Sequence, residues 1–460
     1  MLEVISIVLS VIFLMFLAYR GFSVLVISPV LALFAVFLSG GESLLAHYTQ
    51  IFMVKLGDFA TVYFPLFLLS AIFGKIMENS GYALSIADYI SNKIGSEKAV
   101  LAIVLSCSVL TYGGISLFVV VFAVYPIAVE LFRKSDVPKK LIPCAVAVGS
   151  FTYTMTSTPG SPAIPNVIPS QYFGTDAFAA PGIGIIATIL SLILSMLWLN
   201  YQVRLARQNG EGYGNYQDNL IYVSHDKLPS FWMAVIPVFI VISINYISVN
   251  HVFPNMDTSY LQSEKYGATD IQTVKGNWAI IIAVFFATTF VWVANYKKID
   301  IIRCINNGAV ESLAPIFNTA SVVGYGAVIN SLPGFAVVRN WILSLSPDNP
   351  IISSAVATGV LSGITGSASG GLSITLETLG AKYLEMINAI GMNPEIMHRI
   401  VAVASGSLDI LPHNGAIISL LAICGLTHKE SYKDIFVSSL LVQLTMTVVV
   451  VAIAMTFGSF

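Results

Sequence analysis

Apolar stretches long enough to cross a bilayer recur along this chain, and they restrict its fold more than any motif does. They lie at 2–19, 22–39, 57–78, 97–112, 115–132, 140–158 and 180–201. After a polar stretch at 202–228 they resume at 230–249, 278–295, 308–332, 350–368, 371–390, 398–422 and 434–458. In hydrocarbon a segment must satisfy its own backbone polar groups, which leaves helices and closed barrels. These runs are continuous, not alternating, so a barrel is excluded. Only 10% of the residues are charged, against roughly 25% in a soluble domain. The expected fold class is an all-α polytopic membrane protein, with the lipid bilayer as its first partner. Net charge is −2 with no basic patch, so nucleic acid binding has no support. Cys107, Cys144, Cys304 and Cys424 stand alone without metal-ligand spacing and are expected as free thiols. Met1-Leu2-Glu3 offers no basic n-region or cleavage site, so the first apolar run is expected as a retained helix.

Two of these segments are interrupted in the same way. Val401 to Ser419 begins as an apolar helix, then holds Asp409, Pro412, His413, Asn414 and Gly415. Proline removes a helical hydrogen bond and glycine loosens the chain. Residues 144–165 repeat the design: AVAVGS at 145–150 matches VAVASGS at 401–407, and TPGSPAI at 158–164 matches LPHNGAI at 411–417. Broken backbone at membrane depth is tolerated where it lines a cavity or binds something.

The correspondence extends along the chain. Pro65, Phe67 and Gly74 match Pro315, Phe317 and Gly324, and Tyr112-Gly113-Gly114-Ile115-Ser116 matches Ser369-Gly370-Gly371-Leu372-Ser373. Ordered matches of this kind indicate a duplicated unit. Each Gly-Gly pair either packs helices closely or forms the tip of a re-entrant hairpin; its recurrence beside small polar residues favours a tip. The expected organisation is a first repeat at 1–205, with a hairpin at about 97–132 and a broken helix at about 140–166. A linker follows at 206–228. The second repeat covers 229–460, with a hairpin at about 350–390 and a broken helix at about 398–422. Placing the N-terminus outside gives five crossings per half, an inverted second half and both termini outside. Sixteen of the 22 Lys and Arg then lie inside, and Lys55, Lys265, Lys275, Arg339, Lys382 and Arg399 outside. That bias fits the positive-inside rule and a multi-pass protein of the cell inner (plasma) membrane.

Inverted repeats with broken helices mark secondary transporters, whose site lies at the midplane between repeats. A half-helix start offers free N–H groups to a carboxylate. The substrate contacts expected on this basis are Gly113, Gly114, Ser116, Thr156, Ser157, Thr158, Gly160, Ser161, Ser369, Gly370, Gly371, Ser373, His413, Asn414 and Gly415. Asp409, His413 and Glu377 are the candidates for ion or proton coupling. Each has a plainer alternative: Asp409 as a carboxylate bonded to hairpin backbone, His413 as a packing partner, and Glu377 as an anchor between helices. Tyr112 either packs or meets substrate, with packing ahead. His413 is the one histidine expected in the membrane interior, and histidine titrates nearest neutral pH. No catalytic or metal site and no cofactor is expected; the coupling ion is H+, with Na+ as the alternative. A membrane-embedded enzyme using Asp409 and His413 is the reading from another class, and it lacks any recognisable catalytic motif. A passive channel would need a ring of like residues, which the sequence does not show.

Residues 112–133 (YGGISLFVVVFAVYPIAVELFR), 154–169 (TMTSTPGSPAIPNVIP) and 405–435 (SGSLDILPHNGAIISLLAICGLTHKESYKDI) resemble the GntP family of gluconate-type permeases, within the ion-transporter superfamily. The resemblance covers nearly the whole chain, and LPHNGAI with GLTHKESY is its most specific part. It is strongest to the hydroxybutyrate or short-chain hydroxy acid branch. It implies proton symport of a small hydroxycarboxylate, a homodimer, and an elevator-like cycle in which a transport domain carries the hairpins. Two departures stand out. Gluconate permeases place Phe-Phe-Glu after a Gly-Pro tip, whereas this chain has Gly114-Ile115-Ser116-Leu117-Phe118-Val119. They also carry a histidine in the first break, where this chain has Ser157-Thr158-Pro159-Gly160. Fewer charges imply a less hydroxylated substrate than gluconate.

Overall fold

A computed structural model describes residues 2–20, 22–40, 43–115, 117–216, 218, 228–344, 349–412 and 414–458. Among these every regular element is a helix. In order they are α1 (Leu2–Tyr19), α2 (Val24–Leu38), α3 (Leu44–Asn79), α4 (Tyr82–Ile94), α5 (Ala99–Tyr112) and α6 (Leu117–Lys134). Then come α7 (Ile142–Ser150), α8 (Tyr153–Thr156), α9 (Ile164–Phe173) and α10 (Pro181–Gln208). The remainder are α11 (Phe231–Ile247), α12 (Ile271–Ala294), α13 (Ile301–Ser331), α14 (Phe335–Ser344), α15 (Pro350–Thr365), α16 (Ala368–Ala389), α17 (Pro394–Ser405), α18 (Gly415–Ile423) and α19 (His428–Phe457). Among the described residues six helical stretches are long and apolar enough to cross a membrane: α3, α10, Phe231–Asn255, α12, α13 and α19. A polytopic membrane protein follows. The four cysteines are free and buried.

The centre is the pair α3 and α13, which pack along most of their length. Glycines set their approach. A Cβ on Gly308 would lie 2.7 Å from Ile72 Cα, and one on Gly324 would lie 2.8 Å from the Phe52 carbonyl. Gly308 thus meets the end of α3, and Gly324 its beginning, so the two helices run antiparallel. Both reach further than the apolar pattern predicts. At 1.5 Å per residue the 36 residues of α3 extend about 54 Å, well beyond a hydrocarbon core of about 30 Å.

Around this pair α5 packs on α6 and α7, and α15 packs on α16 and α17. The α5–α6 connection turns at Gly113 and Gly114, the latter at φ 83°. The second turn is not where the sequence placed it. It lies at Gly366 and Ser367: Gly366 (φ 60°) closes α15, and the Ser367 hydroxyl accepts from Gly370 N to cap α16. Ser369, Gly370, Gly371 and Ser373 are inside the first turns of α16. Gly371 is there for packing, since a Cβ would come 2.1 Å from Ser362 N on α15.

A polar strap closes one end of the molecule. The connector after α10 lays Asp218 against the α6–α7 corner, where its buried carboxylate accepts from Lys139 Nζ (2.6 Å), Arg133 (2.6 Å), Tyr213 OH (2.7 Å) and Tyr125 OH (3.1 Å). Burial pushes this carboxyl up, but the bonds from Lys139, Tyr213 and Tyr125 with the Lys139 charge overcome it and hold it below the ordinary 3.8. A depressed pKa contributes stability that is complete above the unfolded value and lost as pH falls through the folded one. Asp218→Asn should therefore loosen the strap by about 1–3 kcal/mol at neutral pH. The readout is faster limited proteolysis of the connector. Wild type should approach the variant only when the pH drops below 3.8.

Candidate functional site

The first break begins where α8 stops after a single turn. Residues 157–163 then run irregularly until α9 begins at Ile164, with Pro165 in the first turn, a position that suits proline. Thr156, Ser157 and Ser161 are fully buried. Thr158 Oγ1 donates to the Tyr153 carbonyl (2.9 Å) and pairs with Thr188 Oγ1 (3.1 Å). Gly160 N donates to the Ala177 carbonyl (2.8 Å). Gly160 also has φ 79°, and a Cβ there would lie 2.4 Å from the Phe178 ring, so no other residue fits.

The α5–α6 tip reaches this break. Tyr112 OH donates to the Pro159 carbonyl (2.8 Å), and a Cβ on Gly114 would sit 3.1 Å from Pro162. Thr111 Oγ1 donates to Ser150 Oγ (3.0 Å) at the end of α7. Tyr112, Gly114 and the 156–161 run therefore form one cluster, while Gly113 faces Val238 of α11. Ser116 lies outside the described residues.

The second break spans Gly406–Asn414, between α17 and α18. Asn414 organises it. Its Oδ1 accepts from Ala416 N (2.7 Å) and Ile417 N (3.0 Å) to cap α18, and its Nδ2 donates to the Asp409 carbonyl (2.8 Å). Gly415 opens α18. Asp409 is 3% exposed, and among the described residues its Oδ1 has no hydrogen-bond partner. An unpaired polar atom at that depth is costly unless protonated or ligated. His413 lies outside the described residues.

The breaks meet each other. A Cβ on Gly406 would touch Thr156 at 3.0 Å, and Gln443 of α19 bridges Thr156 Oγ1 (3.2 Å) to Ser191 of α10 (3.0 Å). The α15–α16 pair reaches the second break, through Gly359 against Ser407 and Gly363 against Leu408. Glu377 stands apart. It pairs with Lys55 Nζ (2.6 Å) on α3 and accepts from Tyr172 OH (3.3 Å) on α9, as an anchor between helices would. Both partners are partly exposed, so Glu377→Gln should cost under about 1 kcal/mol. Thermal unfolding and uptake close to wild type would confirm the anchor; loss of gradient-driven uptake alone would restore the coupling role.

Sequence reasoning missed the most heavily bonded side chain here. On sequence Arg399 counts as an outside cation at the head of the 398–422 run, a surface position, but it is fully buried inside α17. Its Nε donates to the Ala179 carbonyl (2.9 Å), and one terminal nitrogen reaches Asn166 Oδ1 (2.7 Å) and the Ser157 carbonyl (3.3 Å). The other reaches the carbonyls of Ala179 (2.7 Å) and Ala177 (3.2 Å). Asn166 Nδ2 in turn holds the carbonyls of Ser161 and Ala177, both at 2.9 Å. A histidine that sequence reasoning passed over is also buried in the protein: His398, beside Arg399, with Nδ1 2.7 Å from Thr175 Oγ1. The available signal was Asn393-Pro394-Glu395, a cap, a first-turn proline and an acidic first turn, which starts the helix early enough to contain both.

Known proteins match this architecture. Transporter YxjC of Bacillus subtilis (strain 168) is 41% identical over 457 residues, covering 96% of each chain. A transporter of Haemophilus influenzae is 30% identical over 174 residues, 37% of this chain and 38% of that one. The solved structure of Neisseria gonorrhoeae MtrF, described as illuminating a class of antimetabolite efflux pumps, aligns with a TM-score of 0.52 at 14% identity. That alignment covers 90% of this chain and 84% of MtrF, and shows likeness of fold alone. The family model of the GntP family permeases matches residues 2–456. The enzyme alternative through Asp409 and His413 falls with that match, because the chain belongs to the GntP permease family and is a multi-pass membrane transporter.

Proposed function

We propose that the protein is a secondary active transporter, a proton symporter of a small organic monocarboxylate such as a short hydroxy acid. The observation that carries this is the meeting of two broken helices, one lined by uncharged hydroxyls and the other holding a buried carboxylate with an unpartnered oxygen. Carboxylate binding falls to Gly113, Gly114 and the 156–161 run, with Asn414 and Gly415 from the facing half. Asp409 takes the proton, and His413 is the second candidate. Proton and substrate must favour the same state for coupling.

Inverted repeats support alternating access. Swapping the halves exchanges α1 with α11, α2 with α12 and so on to α7 with α17, then α9 with α18 and α10 with α19, the single turn α8 having no counterpart. Under that swap the packing of α2 on α13 becomes that of α12 on α3, and α1 on α14 becomes α11 on α4. Likewise α9 on α16 becomes α18 on α6. The antiparallel α3–α13 pair and the α10–α19 pair map onto themselves. A two-fold axis in the membrane plane has this property. With α5–α6 and α15–α16 as re-entrant hairpins, the chain works as an elevator in an inner-membrane homodimer with both termini outside.

Proteoliposome uptake tests the proposal. Labelled 3-hydroxybutyrate, lactate and gluconate are offered under an inward proton gradient, then under a sodium gradient at equal pH. Concentrative uptake of a short hydroxy acid under the proton gradient is expected. Accumulation driven only by sodium would move coupling to carbonyls and hydroxyls, and gluconate uptake above 3-hydroxybutyrate would overturn the substrate class.

A further inference from the structure

The last helices of the two halves, α10 and α19, pack side by side and leave a groove on the outer surface. Its apolar part, about 420 Å³, is lined by Leu197, Trp198 and Tyr201 from α10 and by Val437 and Leu441 from α19, among others. Leu197 is 62% exposed and Leu441 39%, so this apolar surface is uncovered in the single chain. The next turns of the same two helices form a polar pocket of about 220 Å³ that includes Gln202, Lys429, Lys433 and Asp434. Trp198 stands at the junction and donates Nε1–H to Asp434 (3.2 Å).

The polar pocket is lined by three lysines and three carboxylates, and each carboxylate is already engaged. Glu211 is held by Lys140 at 2.6 Å. Glu430 caps its own helix through Thr427 N and Oγ1, and Asp434 is engaged by Trp198. Lys429 and Lys433 are exposed and make no ion pair among the described residues. Arg204 is exposed too, and it continues the Leu197 and Tyr201 face at helical spacing. An apolar groove, an indole and a phenol at its end, and unpaired cations beyond them match the three depths of one molecule.

We propose that this groove is a binding site for one anionic phospholipid, with the headgroup phosphate on Lys429 and Lys433 and an acyl chain along Leu197 and Leu441. The bound lipid bridges the two halves where their last helices meet.

Native mass spectrometry of the full chain, titrated with phosphatidylglycerol and with phosphatidylcholine, tests this. Phosphatidylglycerol should be retained preferentially. Each lysine near an anionic headgroup is worth about fivefold, so Lys429→Gln with Lys433→Gln should lower the preference on the order of thirtyfold. Leu441→Trp, which fills the groove, should lose the lipid while both lysines remain. Excess inorganic phosphate should leave the lipid bound. Equal retention of the two lipids by wild type, or an unchanged preference in the lysine variant, would overturn the site. Displacement by phosphate would make it an ion site, and conversion of a dimer to a monomer by Leu441→Trp would give the groove to a second copy of the chain.

Discussion

Arg399→Met is expected to leave little folded protein, and Arg399→Lys to recover only part of it. The guanidinium is fully buried and gives every N–H to a fixed oxygen: the carbonyls of Ser157, Ala177 and Ala179, and Asn166 Oδ1. Removing it strands the Ser157 and Ala179 carbonyls and Asn166 Oδ1 at about 1–3 kcal/mol for each one left unpaired, while the Ala177 carbonyl keeps Gly160 N and Asn166 Nδ2. Partial relaxation brings the expected loss to about 3–5 kcal/mol, the lower part of the sum for three unpaired acceptors. Lysine keeps the charge, but its point-like ammonium cannot span acceptors arranged for a planar fork. Thermal unfolding in detergent and the monodisperse fraction in gel filtration measure the effect. A methionine variant as stable as wild type would show that the first break is held by Asn166 and Gly160 without the guanidinium.

This residue also shows where the sequence stopped being legible. Both breaks could be read, because Pro159, Pro162 and Pro412 interrupt apolar runs that otherwise have no reason to stop. The first turn, at Gly113 and Gly114, was legible for the same reason, since only glycine accepts the φ of 83° at Gly114. Gly370 and Gly371 misled. A glycine pair that lets two helices approach looks the same in sequence as one that turns the chain, and the real turn was marked by Gly366 followed by the capping Ser367. Arg399 was hidden by a rule that is sound on average: a cation next to an apolar run normally sits at the surface. Its partners come from the first half of the chain, more than 200 residues away, and no local pattern reports them. Asn166 and Gln443 were missed likewise, because a single amide in an apolar stretch has no spacing to read. His413, the most suggestive residue of the second break, lies outside the described residues, so the break is argued from Asp409 and Asn414.

Asp409→Asn is expected to abolish proton-driven accumulation while leaving exchange of substrate across the membrane intact. Asp409 sits between Gly406, which touches the first break, and Asn414, which caps the helix after the second. One carboxylate oxygen has no partner among the described residues, although the residue is 3% exposed. Such a group is stable either neutral or against a ligand, and a coupling site needs that choice. Asparagine keeps the size and cannot bind the proton, so it fixes the neutral form. With one proton per substrate, an inward gradient of about one pH unit sustains about a tenfold accumulation, since a pH unit is worth about 1.4 kcal/mol. The variant should equilibrate substrate to a ratio of about one under the same gradient, and its exchange should no longer vary with pH. Retained tenfold accumulation would remove Asp409 from the coupling path and leave His413 to carry the proton. Loss of exchange together with accumulation would place the carboxylate on the substrate itself, because a residue that only carries the proton is dispensable when both faces hold substrate and no net proton moves.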